Sequence, residues 1–88
     1  MIYRYPLSFA DRQTVQMPLG AVILSAHFWK GQICLWAEVD PQNPAETRRI
    51  TIMGTGHCEQ APRPVQDKFI GTVLLPDQGL VFHIFEGG

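Results

Sequence analysis

The stretch AVILSAHFWKGQICLWAEV, residues 21–39, decides the fold. It reads as two strands, 21–29 and 32–39, separated by Lys30 and Gly31 alone. Two-residue loops between antiparallel strands use turns with positive φ, which glycine adopts at no steric cost. A loop of that length sets the register of everything beside it. Trp29 then faces Gln32. One face pairs Phe28 with Ile33, Ala26 with Leu35, Leu24 with Ala37 and Val22 with Val39. All four pairs are apolar, so this is the expected core face. The reverse face pairs Trp29 with Gln32, His27 with Cys34, Ser25 with Trp36 and Ile23 with Glu38. It is mixed, neither plainly solvated nor plainly buried.

Working outward, the same period of two recurs almost throughout. Further strands are expected over 1–5, 12–18, 48–54, 67–75 and 80–86. A second hairpin crosses Pro76-Asp77-Gln78-Gly79, with proline and glycine where a turn wants them. With Leu75 opposite Leu80, Val73 meets Phe82 and Gly71 meets Ile84 on one face. On the other, Leu74 meets Val81, Thr72 meets His83 and Ile70 meets Phe85. In 12–19, Val15, Met17 and Leu19 alternate with Arg12, Thr14 and Gln16. No stretch of ten residues has clean helical spacing, although 44–47 would admit a single helical turn. Six or seven short strands without a covering helix predict an all-β domain over 1–88, a small antiparallel sandwich or partly closed barrel. Both faces of the second hairpin are largely apolar, so it is either sandwiched between layers or covered by another subunit, and the mixed second faces of so small a domain make a homodimer or larger homo-oligomer the expectation.

Composition narrows the function. The chain has 88 residues, 45% of them apolar, and a formal net charge of −1. Such a balance leaves no polybasic footprint, so nucleic acid is not the expected partner. No apolar run reaches the length of a membrane-spanning helix, and residues 1–6 lack the order of a signal peptide. Without a secretory signal, Cys34 and Cys58 are expected as two free thiols rather than a disulfide.

Few residues could carry chemistry. Gly54-Thr55-Gly56-His57-Cys58 is the most unusual string, because bare backbone N–H groups beside a hydroxyl and an imidazole can hold an anion. It is neither a P-loop nor a dinucleotide fingerprint, as no Lys-Ser/Thr and no helix follow. The bland alternative is a strand end where glycines relieve strain. No Cys-x-x-Cys or His-x-x-x-His spacing appears, and neither metal nor cofactor is expected. Cys34 opposite His27 could suggest a catalytic pair, but the thiol should be covered and lacks an orienting acid. His83 is expected as a cross-strand partner of Thr72. Trp29 and Trp36 are the best candidates for a contact surface, since tryptophan left on a surface is enriched at binding hot spots. Arg48 and Arg49 are adjacent in a strand and diverge, so one of them could reach a ligand or a rim.

Read end to end, the chain resembles a family of short uncharacterised proteins of phages, prophages and bacteria. The resemblance lies in Ile2-Tyr3-Arg4-Tyr5-Pro6-Leu7, Asp11-Arg12-Gln13-Thr14-Val15, Met17-Pro18, Ile33-Cys34-Leu35-Trp36-Ala37 and Val39-Asp40-Pro41. It continues through Gly54-Thr55-Gly56-His57, Phe69-Ile70-Gly71-Thr72-Val73 and Leu80-Val81-Phe82-His83-Ile84-Phe85-Glu86. It implies a stand-alone all-β protein, phage-related and acting in the cytoplasm of a bacterial host, and it carries over no activity. The resulting expectation is a non-enzymatic binding protein that acts by stoichiometric contact and inhibits a host defence protein. The binding candidates are Trp29, Trp36, Arg48, Arg49, Thr55, Gly56 and His57. The alternative is a binder that sequesters a nucleotide or other anionic small molecule, with the Gly54–His57 loop on phosphate.

Overall fold

A computed structural model describes residues 1–54 and 67–87. Among them are seven strands: β1 (Ile2–Leu7), β2 (Arg12–Pro18), β3 (Val22–Trp29), β4 (Gln32–Glu38), β5 (Ala45–Gly54), β6 (Lys68–Leu75) and β7 (Leu80–Gly87). They form two antiparallel sheets, one ordered β1-β4-β3 and the other β2-β5-β7-β6. The sheets pack as a sandwich and do not close into a barrel. A core runs between them through Leu7, Met17, Ile33, Leu35, Ile50, Ile52, Val73, Leu75 and Ile84. Burying one such side chain contributes about 1.5–3 kcal/mol, which is how so small a chain holds two layers.

The Lys30-Gly31 reversal is as tight as expected. Lys30 has φ 49° and Gly31 φ 80°, both positive as the twist of a hairpin requires. Trp29 pairs with Gln32, Phe28 with Ile33, His27 with Cys34, Ala26 with Leu35 and Ser25 with Trp36. Leu24 is then an extra residue. Ile23 pairs with Ala37 and Val22 with Glu38, in place of the expected Leu24–Ala37, Val22–Val39 and Ile23–Glu38 pairs. Ile23 packs on the core, while Leu24 and Val22 are half exposed. Alternation cannot locate this bulge, because Val22-Ile23-Leu24 is apolar at every position.

The second hairpin repeats the lesson. Leu75–Leu80 through Gly71–Ile84 pair as expected, around a 3₁₀ turn at Pro76–Gln78 with Gly79 at φ 64°. A bulge at Ile70 then pairs Phe69 with Phe85, correcting the expected Ile70–Phe85 pair. Phe69 and Phe85 meet edge to face with ring centroids 5.4 Å apart. The Thr72 hydroxyl lies 3.1 Å from His83 Nδ1, the cross-strand contact the register implies. The possible helical turn over 44–47 is instead the start of β5. Met17 faces Glu46, and Gln16 Nε2 donates to Thr47 Oγ1 at 2.7 Å, so a waiting strand partner overrides local preference.

Candidate functional site

Tryptophans and cations gather on the outer face of the three-stranded sheet. Because Ile33, Leu35 and Ala37 point into the core, Cys34 and Trp36 point outward, joined by His27 and Trp29 from β3. β1 pairs with β4 so that Arg4 faces Trp36 and Pro6 faces Cys34. The Arg4 side chain reaches across Cys34, with Nη1 3.6 Å from Sγ, and its Cζ lies 4.5 Å from the centre of the Trp29 ring. Lys30 Nζ lies 4.6 Å from the same ring. Trp29 and Trp36 meet edge to face at 6.4 Å, and His27 stands edge-on to Trp36 at 5.9 Å. Trp29 remains 41% exposed. Cys34 is fully covered although it faces outward, so its sulfur lies beneath the Arg4 side chain. Each cation–ring contact stabilises by about 0.5–1 kcal/mol at such an exposed position.

Arg48 and Arg49 diverge as expected, on the other sheet. Arg48 points inward and its guanidinium grips Glu86 in a bidentate pair, with Nη2 donating to Oε1 at 3.0 Å and Nε donating to Oε2. Its Nη1 donates to the Ala21 carbonyl at 2.8 Å and lies 3.7 Å from Glu46. Hydrogen bonding to Glu86 raises the Arg48 pKa, burial opposes this, and the charges of Glu86 and Glu46 add to the rise. This arginine is committed to structure. With Val22, Ile23, Phe69 and Ile70 it lines a cleft of about 340 Å³ at the bulged ends of β3 and β6. Arg49 lies exposed on the outer face of the four-stranded sheet, opposite Thr14 and Gly87. Gly54 closes β5 opposite Phe82, and Thr55, Gly56, His57 and Cys58 lie outside the described residues.

The structure therefore brings Trp29 and Trp36 together and sets both arginines apart from them. Arg4 and Lys30 are the members that reading the chain missed. Lys30 was discernible as the neighbour of Trp29 in the turn. Arg4 was not, since nothing local announces that β1 lies beside β4. Among the described residues no three histidine, cysteine or carboxylate side chains cluster to hold a metal ion. No helix among them is long and apolar enough to cross a membrane.

Fold and surface together define a small two-sheet β-sandwich with an aromatic, cationic outer face. The chain belongs to the domain-of-unknown-function family DUF7352, which matches it over residues 1–88. No curated protein and no solved structure matches it.

Proposed function

We propose that this protein acts by stoichiometric contact rather than catalysis, offering the outer face of β1, β4 and β3 to a partner protein. The observation that carries this reading is the half-exposed Trp29 ring held by Arg4 and Lys30. Aromatic and arginine anchors of this kind dominate binding energy at interfaces. They also specify the partner's chemistry: an apolar centre to meet the indoles, with carboxylates placed to meet the two cations. The resemblance to phage and prophage proteins supports a host defence protein as that partner, inhibited in the bacterial cytoplasm. The test compares wild type with Trp29→Ala/Trp36→Ala as bait in host lysate, with circular dichroism confirming the fold. Wild type should retain one host protein in stoichiometric amount, and the variant should bind it at least about tenfold more weakly. Equal retention by both proteins, or retention of nothing by either, refutes the reading.

The same cluster supports a second reading, sequestration of a nucleotide or other anionic small molecule. An indole beside two cations offers stacking to a base and charge to a phosphate. A thermal-shift panel of linear and cyclic nucleotides separates the two. Ligand at one hundred times Kd should stabilise by about 2.7 kcal/mol. No shift across the panel removes this alternative.

A further inference from the structure

The cleft at the bulged ends of β3 and β6 holds charges that the fold does not fully use. Across the four-stranded sheet, Ile50 pairs with Glu86 and Glu86 with Lys68. Side chains directly opposite in antiparallel strands share a face, so Lys68 and Glu86 turn to the same side. Arg48, two residues before Ile50, turns that way too. All three charged residues line the cleft, and their order of plus, minus, plus leaves one positive charge in excess.

Glu86 gives both carboxylate oxygens to Arg48. Lys68 stands directly opposite Glu86, yet it makes no hydrogen bond or ion pair among the described residues. Arg48 also has donors to spare. A guanidinium carries five N–H groups. Three are used, two on Glu86 and one on the Ala21 carbonyl. Glu46 lies 3.7 Å from Nη1, too far for a hydrogen bond. The Arg48 and Glu86 side chains are only 14% and 16% exposed, so an acceptor supplied there gains more than at an open surface.

The walls are of the other kind. Val22, Phe69 and Ile70 are apolar, and Val22 and Phe69 are 57% and 53% exposed. The bulges at Leu24 and Ile70 fall beside them, and a bulge re-aims its neighbouring side chains. A volume of about 340 Å³ is at the small end of ligand pockets. We infer that this cleft binds a small monocarboxylate with an apolar body, its carboxylate on Lys68 and the spare N–H groups of Arg48, its body against Val22 and Phe69. One excess positive charge calls for one negative charge, and charge-assisted hydrogen bonds to a carboxylate are the stronger kind. A phosphate dianion would overcompensate the charge and leave the apolar walls unused. A neutral apolar molecule would gain nothing from Lys68. The site is separate from the aromatic face, since Trp29 ends β3 at the opposite end from Val22.

Backbone amide shifts, followed by NMR during titration with sodium 3-phenylpropionate and sodium octanoate, test it. At least one of these acids should saturate with Kd below about 1 mM, moving the amides of 21–23 and 68–70 most. 3-Phenylpropanol has the body without the charge, and acetate the charge without the body. Each should bind at least about tenfold more weakly than the acid. Lys68→Gln should weaken the acid at least about tenfold and leave 3-phenylpropanol unchanged. Val22→Glu, which sets a competing carboxylate in the cleft, should also weaken the acid. Both positions are exposed, so circular dichroism should be unchanged in either variant. Saturation by neither acid, shifts centred on Trp29, 3-phenylpropanol or acetate binding as tightly as the acid, or an acid affinity unmoved by Lys68→Gln overturns the inference.

Discussion

Arg4 and Arg48 show two uses of one side chain. Arg48 lies at the inner end of the sandwich, held by Glu86, Glu46 and the Ala21 carbonyl. Arg4 lies on an outer face, with a ring and a thiol as its contacts. An ion pair largely withdrawn from water is hard to remove, because the surviving partner is left with an uncompensated charge. A guanidinium stacked on an exposed ring loses little when removed and can be offered to something else. The first arginine holds two sheets together, and the second furnishes a surface.

The largest effect should separate them outright. Arg48→Ala should lower unfolding stability by about 2–4 kcal/mol, reduced from a fully buried pair because both side chains keep some solvent contact. Arg4→Ala should cost only about 0.5–1 kcal/mol. Urea denaturation of the two variants measures both, and equal losses would erase the distinction.

Next in size is the turn that displays Trp29. Gly31 has φ 80° with open space around it, so Gly31→Ala carries backbone strain and no clash, at a cost of about 1–2 kcal/mol. Gly71 has equally open surroundings without a positive φ, and Gly71→Ala should change stability by under about 0.5 kcal/mol. Melting temperatures resolve the pair, since 1 kcal/mol moves a domain of this size by roughly 4–8 °C. Equal shifts would mean the turn geometry is not what holds the tryptophan face in place.

The smallest effect bears on the cover over Cys34. In a Cys58→Ser background, a thiol reagent should label native Cys34 faster in Arg4→Ala than with Arg4 present, with little change in stability. Unchanged labelling would show that Arg4 does not shield the sulfur.

How much of this was readable along the chain depends on distance from a turn. Within a few residues of Lys30-Gly31 and of Pro76–Gly79, loop length and alternation together dictate which side chains meet. Farther out, Val22-Ile23-Leu24 and Phe69-Ile70 are apolar on both faces, and alternation no longer discriminates; both bulges fall there. Arg12 through Leu19 was readable as a strand from its own pattern, whereas Ala45–Thr47 became one only because β2 was there to pair with.

The candidate surface divides in the same way. Trp29 and Trp36 share a face because a two-residue reversal leaves them no other choice, and that much belongs to local covalent geometry. Arg4 joins them, and Arg48 finds Glu86, through pairings between segments thirty or more residues apart. Such pairings follow from how two sheets exclude water between them, a property of the whole packed chain that no short window of residues contains.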